Sequence, residues 1–434
     1  MRRLDRTGNK NMEVSQQTDT SSDNGAMSPV ERRATVSLAG IYALRMLGLF
    51  MILPVLALYG RELEGATPFL IGLAVGIYGL TQGLLQIPFG MLSDAYGRKP
   101  LIIIGLLLFA AGSVVAASAE SMWAMIIGRA LQGSGAVAAV LMALLADLTR
   151  DEQRTKAMAM FGASIGASFI LALMLGPVLA PVIGVEGIFW LTALLSLLAI
   201  WVVIYRVPTP VYNHAHRDTR AVPTQILSVL SDPQLFKLDA SIFILHANMT
   251  AFFVVIPLAL EQAGWLASSH WKIYLPVLLL SVVGMVPLML LAEKRQKTRW
   301  ALLGSVMALV VMQIALGLWY NEPTGLFISL VGYFIAFNLL EANFPSLISR
   351  MAPADKKGTA MGVYATAQFI GVFVGGALGG WVYGRYGISV VLWGSAGLSF
   401  IWLFWLWSVK IPPSKRYANS TQVVNKGETD VQRG

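Results

Sequence analysis

"GMLSDAYGRKP", residues 90–100, decides how the whole chain is read. Before it runs "FLIGLAVGIYGLTQGLLQIPF" and after it "LIIIGLLLFAAGSVVAASA". Each flank is long enough to cross the hydrocarbon of a bilayer, which takes roughly 20 apolar residues. Between them stand one acid, two bases and a proline. Such a stretch is a loop where the chain leaves a membrane, turns and re-enters. The rest of the sequence repeats the pattern.

Of 434 residues, 56% are hydrophobic and 13% charged. Soluble domains carry roughly 25% charge. The mean hydropathy is +0.65, so the expected class is an all-α integral membrane protein. There is no cysteine, which excludes disulfide and thiolate chemistry. The histidines are His214, His216, His246 and His270. The first two fall in a polar loop, so no metal site and no cofactor is expected. The net charge of +9 does not point to nucleic acid, because the bases gather in short loops between apolar runs.

Apolar runs start near Thr35, Pro68, Pro100, Met122, Lys156, Gly187, Phe236, Trp271, Trp300, Gly325, Gly358 and Ile388. They give about twelve spans of roughly 20–28 residues. Trp123, Trp190, Trp271, Trp300 and Trp319 sit near run ends, as interfacial anchors do. Alternate loops hold clusters such as Arg98 with Lys99, Arg150 with Arg154, and Lys294 with Arg295. The opposite loops hold little beyond Arg61, Lys272 and Arg385. The positive-inside rule makes the first set cytoplasmic, with both termini on that side. The expected organisation is a disordered cytoplasmic tail (1–34), a six-helix bundle (35–206), a cytoplasmic linker (207–235), a second six-helix bundle (236–411) and a second disordered tail (412–434). Within the linker, "TQILSVLSD" reads as a short amphipathic helix on the membrane face.

The two bundles look duplicated. An offset of 199 residues joins Pro88 to Pro287, Asp94 to Glu293, and Gly176 to Gly375. Duplicated six-span halves are a transporter architecture, with the site between them at mid-membrane. Ionisable residues deep in the spans follow a period of three: Arg45 in the first, Arg129 in the fourth, His246 in the seventh and Glu341 in the tenth. Counting 1.5 Å per residue places Arg45, His246 and Glu341 about 14–15 Å from the inner surface, with Arg129 further out. Intramembrane charges face a cavity or a partner. Here they either line a functional centre or pair for stability alone.

The motifs carry a resemblance. "GMLSDAYGRKP" resembles the loop signature of the major facilitator superfamily through Gly90, Leu92, Asp94, Gly97, Arg98 and Lys99; Ala95 departs where a base is usual. "RALQGSGA" resembles the fourth-span signature through Arg129, Gln132, Gly133 and Gly135, and "LGLFMILP" the first-span one through Leu47, Gly48 and Pro54. "LGPVLAP" matches the antiporter signature only through Gly176 and Pro177. The set is similar to the twelve-span drug:proton antiporters, and most similar to their YajR-type branch. Members of that branch add a small soluble domain at the C-terminus, whereas only a short polar tail follows Pro413.

The resemblance implies a proton-driven exporter of a small, partly apolar compound in a bacterial inner membrane, monomeric, and not an enzyme. Proton symport into the cell and a non-transporting sensor or scaffold are the alternatives. Asp94 ends a helix, where the partly negative C-terminus disfavours an acid. Arg98 supplies some compensation, and Gly97 permits the left-handed turn that stops the helix. The resemblance implies that Asp94 also docks on the start of the eleventh span at Gly358, with Gly90, Arg98 and Asp147 completing a latch on the cytoplasmic side. The plainer reading is a tight, positive turn.

Glu341 is the deepest acid in view, and a carboxyl group whose access to water alternates can load and release a proton. His246 is a weaker partner for it. The family assigns the fourth-span arginine, Arg129, to coupling. Arg45, Tyr78, Gln82, Gln132, Asn248, Asn338, Asn343, Tyr364 and Gln368 are candidates to line the cavity, each equally readable as a helix-packing hydrogen bond. Gly176, Pro177, Gly375 and Gly379 read as helix-packing residues. The remaining glycine runs lie inside apolar spans, which excludes a nucleotide-binding loop.

Overall fold

The computed structural model describes residues 26–209, 223–353 and 356–411. His214, His216 and the tails at 1–25 and 412–434 lie outside the described residues. Everything long is helical: α1 (Pro29–Met51), α2 (Leu53–Tyr59), α3 (Pro68–Tyr96), α4 (Arg98–Ala117), α5 (Met122–Ser134), α6 (Ala138–Asp147), α7 (Asp151–Tyr205), α8 (Pro223–Leu230), α9 (Pro233–Gln262), α10 (Trp271–Lys294), α11 (Thr298–Trp319), α12 (Pro323–Met351), α13 (Lys357–Tyr386) and α14 (Ile388–Trp407).

Eleven of the helical segments are long and apolar enough to cross a membrane. One of them, α7, has 55 residues, about 80 Å of helix against about 30 Å of hydrocarbon. It is two spans. Gly184 breaks it with φ 71° and ψ 171°, a conformation open to glycine. The first arm runs parallel to the first span: Ser168 Oγ donates to the Ala43 carbonyl at 3.1 Å, and Gly176 lies against the Met51 carbonyl. The second arm runs back. Thr192 Oγ1 donates to the Gly48 carbonyl at 3.3 Å, and Arg33 reaches the Tyr205 and Arg206 carbonyls. The chain therefore crosses twelve times, as the apolar runs predict.

The first helix starts earlier than expected. Residues 29–34, polar and mixed in charge and expected in the tail, form the first turns of α1. Ser28 and Glu31 make a capping box, each side chain bonded to the other's backbone N–H. Glu31 is buried and also holds Arg150, at 3.0 Å, which ties the start of α1 to the start of α7. The amphipathic helix expected in the linker is α8, with Val229 buried and Leu227 exposed.

Two spans are discontinuous. The first breaks at Ile52, just before Pro54, which has no N–H to continue the ladder. The fourth breaks between α5 and α6. Gly135 there has φ −77° and ψ 58°, an inverse γ-turn, closed by Ala136 N–H on the Ser134 carbonyl at 3.0 Å.

The halves repeat one packing scheme. Gly176 presses on the first span, and its 199-residue counterpart Gly375 presses on the seventh, where an added Cβ would lie 2.6 Å from the Ala247 Cα. Gly379 continues that seam against Ala251, and Pro177 is buried beside Gly176.

Contact between the halves is concentrated on the base-poor side. There α3 lies against α13, glycine to backbone. A Cβ at Gly72 would stand 2.8 Å from Gly380 Cα, and one at Gly76 would stand 3.1 Å from Phe373 Cα. Arg61 and Glu261 join the two halves at 2.6 Å on the same side. Toward the base-rich side the helices part: Thr366 still reaches the Gly83 carbonyl, but a Cβ at Gly90 would meet nothing within 4 Å. The molecule is closed at one end and open at the other.

Gly184→Ala is expected to destabilise the fold by about 1–3 kcal/mol, the cost of forcing a side chain into that backbone conformation. A thermal unfolding scan in detergent checks this; an unchanged midpoint contradicts the break.

Candidate functional site

The deep charges do not form one centre. They fall into two clusters, one in each half, built on different physics.

In the first half, Arg45 and Arg129 are 0% and 1% exposed. No carboxylate among the described residues lies within ion-pair distance of either. Arg45 instead donates from Nη2 to Tyr78 Oη (2.9 Å), Gln82 Oε1 (2.8 Å) and the Gly135 carbonyl (2.9 Å). That carbonyl is one left without a helical partner by the break in the fourth span. The negative end of α5 thus meets a guanidinium, the carbonyl accepting from it and from the Val137 N–H at 2.8 Å. The rest of the group lies over rings, 5.2 Å from the centroid of Phe109 and 5.9 Å from that of Tyr78. Arg129 donates to the Ala74 carbonyl (3.2 Å) and Gln132 Oε1 (2.8 Å) and also covers Tyr78, at 5.4 Å. Gln132 passes on to Ser113.

This network is sealed. Tyr78, Gln82 and Gln132 are buried along with both arginines, so these five residues do not line an open cavity in this structure. They bind the first, second, third and fourth spans into one block. Asn248 likewise turns away from the centre, donating to Ser399 of α14 at 2.8 Å. A polar residue on a helix has several neighbours to choose from, and the sequence does not say which face looks inward.

In the second half the expected pair does meet. Glu341 Oε2 lies 3.8 Å from His246 Nε2. Gln368 Nε2 sits 2.8 Å from His246 Nε2 and donates to Glu341 Oε1 at 3.4 Å. With the amide N–H₂ facing both, the imidazole accepts on Nε2, and its Nδ1–H faces the Ile242 carbonyl at 3.3 Å. That tautomer is a neutral histidine. The Glu341 side chain is 36% exposed, while its Oε2 is buried without a hydrogen bond. So the carboxyl group is half seated in the protein and half exposed. Asn338, bonded to Ser281 at 3.0 Å, and Asn343, bonded back to Leu339, are partly buried on the same helix. Tyr364 is buried one turn from Gln368. Arg129 is in the other half and has no contact with this group.

At the open end, Arg98 gathers the loop. Its Nη1 stands 2.5 Å from Asp94 Oδ1 and 2.6 Å from Ser93 Oγ, and its Nε 3.2 Å from Asp147 Oδ2. Asp94, Arg98 and Asp147 therefore assemble as expected. Gly97 has the expected positive φ, 93°, but its ψ of 149° is extended rather than left-handed helical. The sequence reading missed Asp239 of α9, a buried acid. It lies three residues past Phe236, at the edge of the apolar run, where a charge is ordinary.

Arg45→Met keeps the volume and removes the donors. It is expected to destabilise the first half by about 2–3 kcal/mol, the scale of a charged hydrogen bond lost in the interior. Thermal unfolding reads the loss; wild-type stability contradicts a structural role.

The Major Facilitator Superfamily description matches residues 38–376 and 336–429. The inner membrane transport protein YajR of Escherichia coli is 46% identical over 92% of this chain and 87% of its own. A multidrug resistance protein MdtH of Aeromonas salmonicida is 26% identical over 77% of this chain and 84% of its own. Among solved structures, a bacterial homologue of the lysosomal transporter Spinster, inward-facing and occupied, superposes with a TM-score of 0.74 at 12% identity, covering 88% of this chain and 97% of that one. The human organic anion transporter MFSD10 gives 0.66 at 19% identity, covering 87% and 100%. These two likenesses speak for the fold alone.

Proposed function

The chain belongs to the Major Facilitator Superfamily of membrane transporters, and we propose that it is a secondary active exporter that exchanges protons for a small, partly apolar compound by alternating access. In this reading the base-rich side is cytoplasmic, both termini lie there, and the membrane is the bacterial inner membrane, as the name of the Escherichia coli relative has it for that protein. The state described above is then open to the cytoplasm. The energy source is the proton gradient, with no cofactor, and one monomer is the working unit.

Glu341 carries the proposal. Its carboxyl group is the ionisable group of the deep set that is exposed in part, and it keeps one oxygen without a hydrogen bond. An acid so placed can take up or release a proton on the free oxygen while Gln368 keeps its hold on the other. His246 and Gln368 orient it. The drug-resistance name of MdtH, at 26% identity, supports export of a lipophilic compound as the direction. Arg129 serves the coupling at a distance, by keeping the first half rigid while the second exchanges protons. Gln368, Asn338 and Asn343 are the polar contacts left to the substrate.

The latch works in the other state. Asp94, held by Arg98, docks on the start of α13 near Gly358 when the cytoplasmic side closes, the acid meeting the positive end of a helix. Asp94→Asn is expected to insert normally but to lose occupancy of the outward-open state. Accessibility labelling of a single cysteine introduced on the outer side checks this, and wild-type labelling with wild-type transport contradicts the latch.

Proteoliposomes with an imposed pH gradient, challenged in turn with cationic, neutral and anionic lipophiles, test the function. One class is expected to provoke proton flux in the wild type, and Glu341→Gln to abolish that flux while substrate binding persists. A Glu341→Gln variant that still concentrates the compound against its gradient contradicts the assignment.

A further inference from the structure

Bases near the helix ends of this molecule are held in two ways. Arg61, Arg98 and Arg150 each meet a carboxylate. Arg33 and Lys99 meet backbone. Arg33 donates from Nε to the Arg206 carbonyl at 3.0 Å and from Nη2 to the Tyr205 carbonyl at 3.2 Å. Lys99 donates to the Val207 carbonyl at 2.6 Å. Three consecutive carbonyls at the end of α7 thus gather two bases beside a third, Arg206. A carbonyl fixes a cation in place without cancelling its charge. No carboxylate among the described residues lies within ion-pair distance of Arg33, Lys99 or Arg206.

A groove begins one turn above this cluster. Val36, Ser37 and Gly40 follow Arg33 on the same face of α1, three, four and seven residues on. Val202 stands one turn before Arg206 on α7. Between the two arms of α7, α1 forms a floor. Gly40, Leu44 and Leu47 there face Ser168 and Leu171 of the first arm and Val202 of the second, around a cavity of about 410 Å³. Ligand sites have that size, roughly 300–1,000 Å³. A Cβ on Gly40 would meet nothing within 4 Å. From Val36 to Leu47 the floor is about 16 Å long. That is the depth of one leaflet, half of roughly 30 Å of hydrocarbon.

The groove opens to the bilayer and not to the centre of the molecule. Phe169 of the first arm meets Phe253 and Phe334 of the second half. Leu171, two residues on, is turned about 200° from it around the helix, and it is 48% exposed. Trp201 and Tyr205, exposed and 5.6 Å apart, mark the headgroup level at the end where the bases lie.

We propose that an anionic phospholipid of the base-rich leaflet binds here, one acyl chain lying along α1 between the arms of α7 and its phosphate held by Arg33, Lys99 and Arg206. The apolar floor takes the chain, and the three bases without a carboxylate take the headgroup. Arg33 is exposed, and its Nη1 has no partner among the described residues. Bases near a membrane surface attract anionic lipid in general. Here carbonyls hold two of them in position beforehand, which lowers the ordering cost of binding. The bound lipid splints α1 to the second arm of α7.

Native mass spectrometry of the whole protein, released from detergent with lipids of matched acyl chains, tests this. The wild type is expected to retain one phosphatidylglycerol at least about tenfold more tightly than phosphatidylcholine. Arg33→Gln combined with Arg206→Gln should abolish that preference. Gly40→Leu should weaken phosphatidylglycerol at least about tenfold with every charge still in place. The open space at Gly40 lets this variant fold, which an unfolding midpoint no lower than wild type in lipid-free detergent confirms. Arg299→Gln removes a base that a carbonyl holds in the other half, and it should leave the preference as in the wild type. Equal retention of the two lipids by the wild type overturns the site and leaves an ordinary annular contact. Retention of phosphatidylglycerol unchanged in a folded Gly40→Leu overturns it too, leaving surface attraction alone. Glycerol phosphate that displaces the lipid at equal concentration also contradicts it, since the chain then contributes nothing.

Discussion

A charge inside hydrocarbon has to be answered by oxygen, nitrogen or water, and this molecule answers its charges in two ways. In the first half the answer is backbone. The fourth span breaks at Gly135, and a carbonyl released by the break receives Arg45. The cation and the broken helix are each costly alone, and the bond offsets part of both: the carbonyl also takes the Val137 N–H, and Arg45 Nε and Nη1 lie without a hydrogen bond. Around that bond Tyr78, Gln82, Arg129 and Gln132 close a network with no exposed member. The first half becomes a block that can rock without coming apart.

The second half has no such closure. Glu341 is left with one carboxyl oxygen, and Asp239 with both, without a hydrogen bond. Duplication explains the common scaffold, since Gly176 and Gly375 press on the first and seventh spans alike. It does not explain the chemistry, which has diverged: guanidinium groups in one copy, carboxyl groups and an imidazole in the other. In the proposed function, a rigid cationic half and a titratable half, packed along the glycine seam of α3 and α13, rock against each other.

Much of this is legible in the sequence, for reasons that are specific. Twenty-residue apolar runs allow little but spans, so twelve crossings, the loops and the 199-residue repeat can be read directly. Asp94 and Arg98 follow from an acid misplaced at a helix C-terminus, which has to find a base, while Asp147 enters only through the family resemblance. Glu341 and His246 are found because charge is rare at that depth. The start of α1 is missed because charged residues there obscure the run, although Ser28 and Glu31 spell a capping box. The polar lining is misread for a different cause. Tyr78, Gln82 and Gln132 sit on spans that border both the centre and their own bundle, and only the packing decides which they face. Asp239 is hidden by its nearness to a helix end that in fact begins earlier, at Pro233.

The central claim is that Glu341 exchanges a proton with the open side of the molecule. Modification by dicyclohexylcarbodiimide, which attacks protonated carboxyl groups within membranes, measures this directly when mapped by peptide mass spectrometry across a pH series. The account predicts labelling of Glu341 that declines as pH rises and is blocked by the transported compound. Glu341 left unmodified at every pH, or modified equally at all of them, contradicts it.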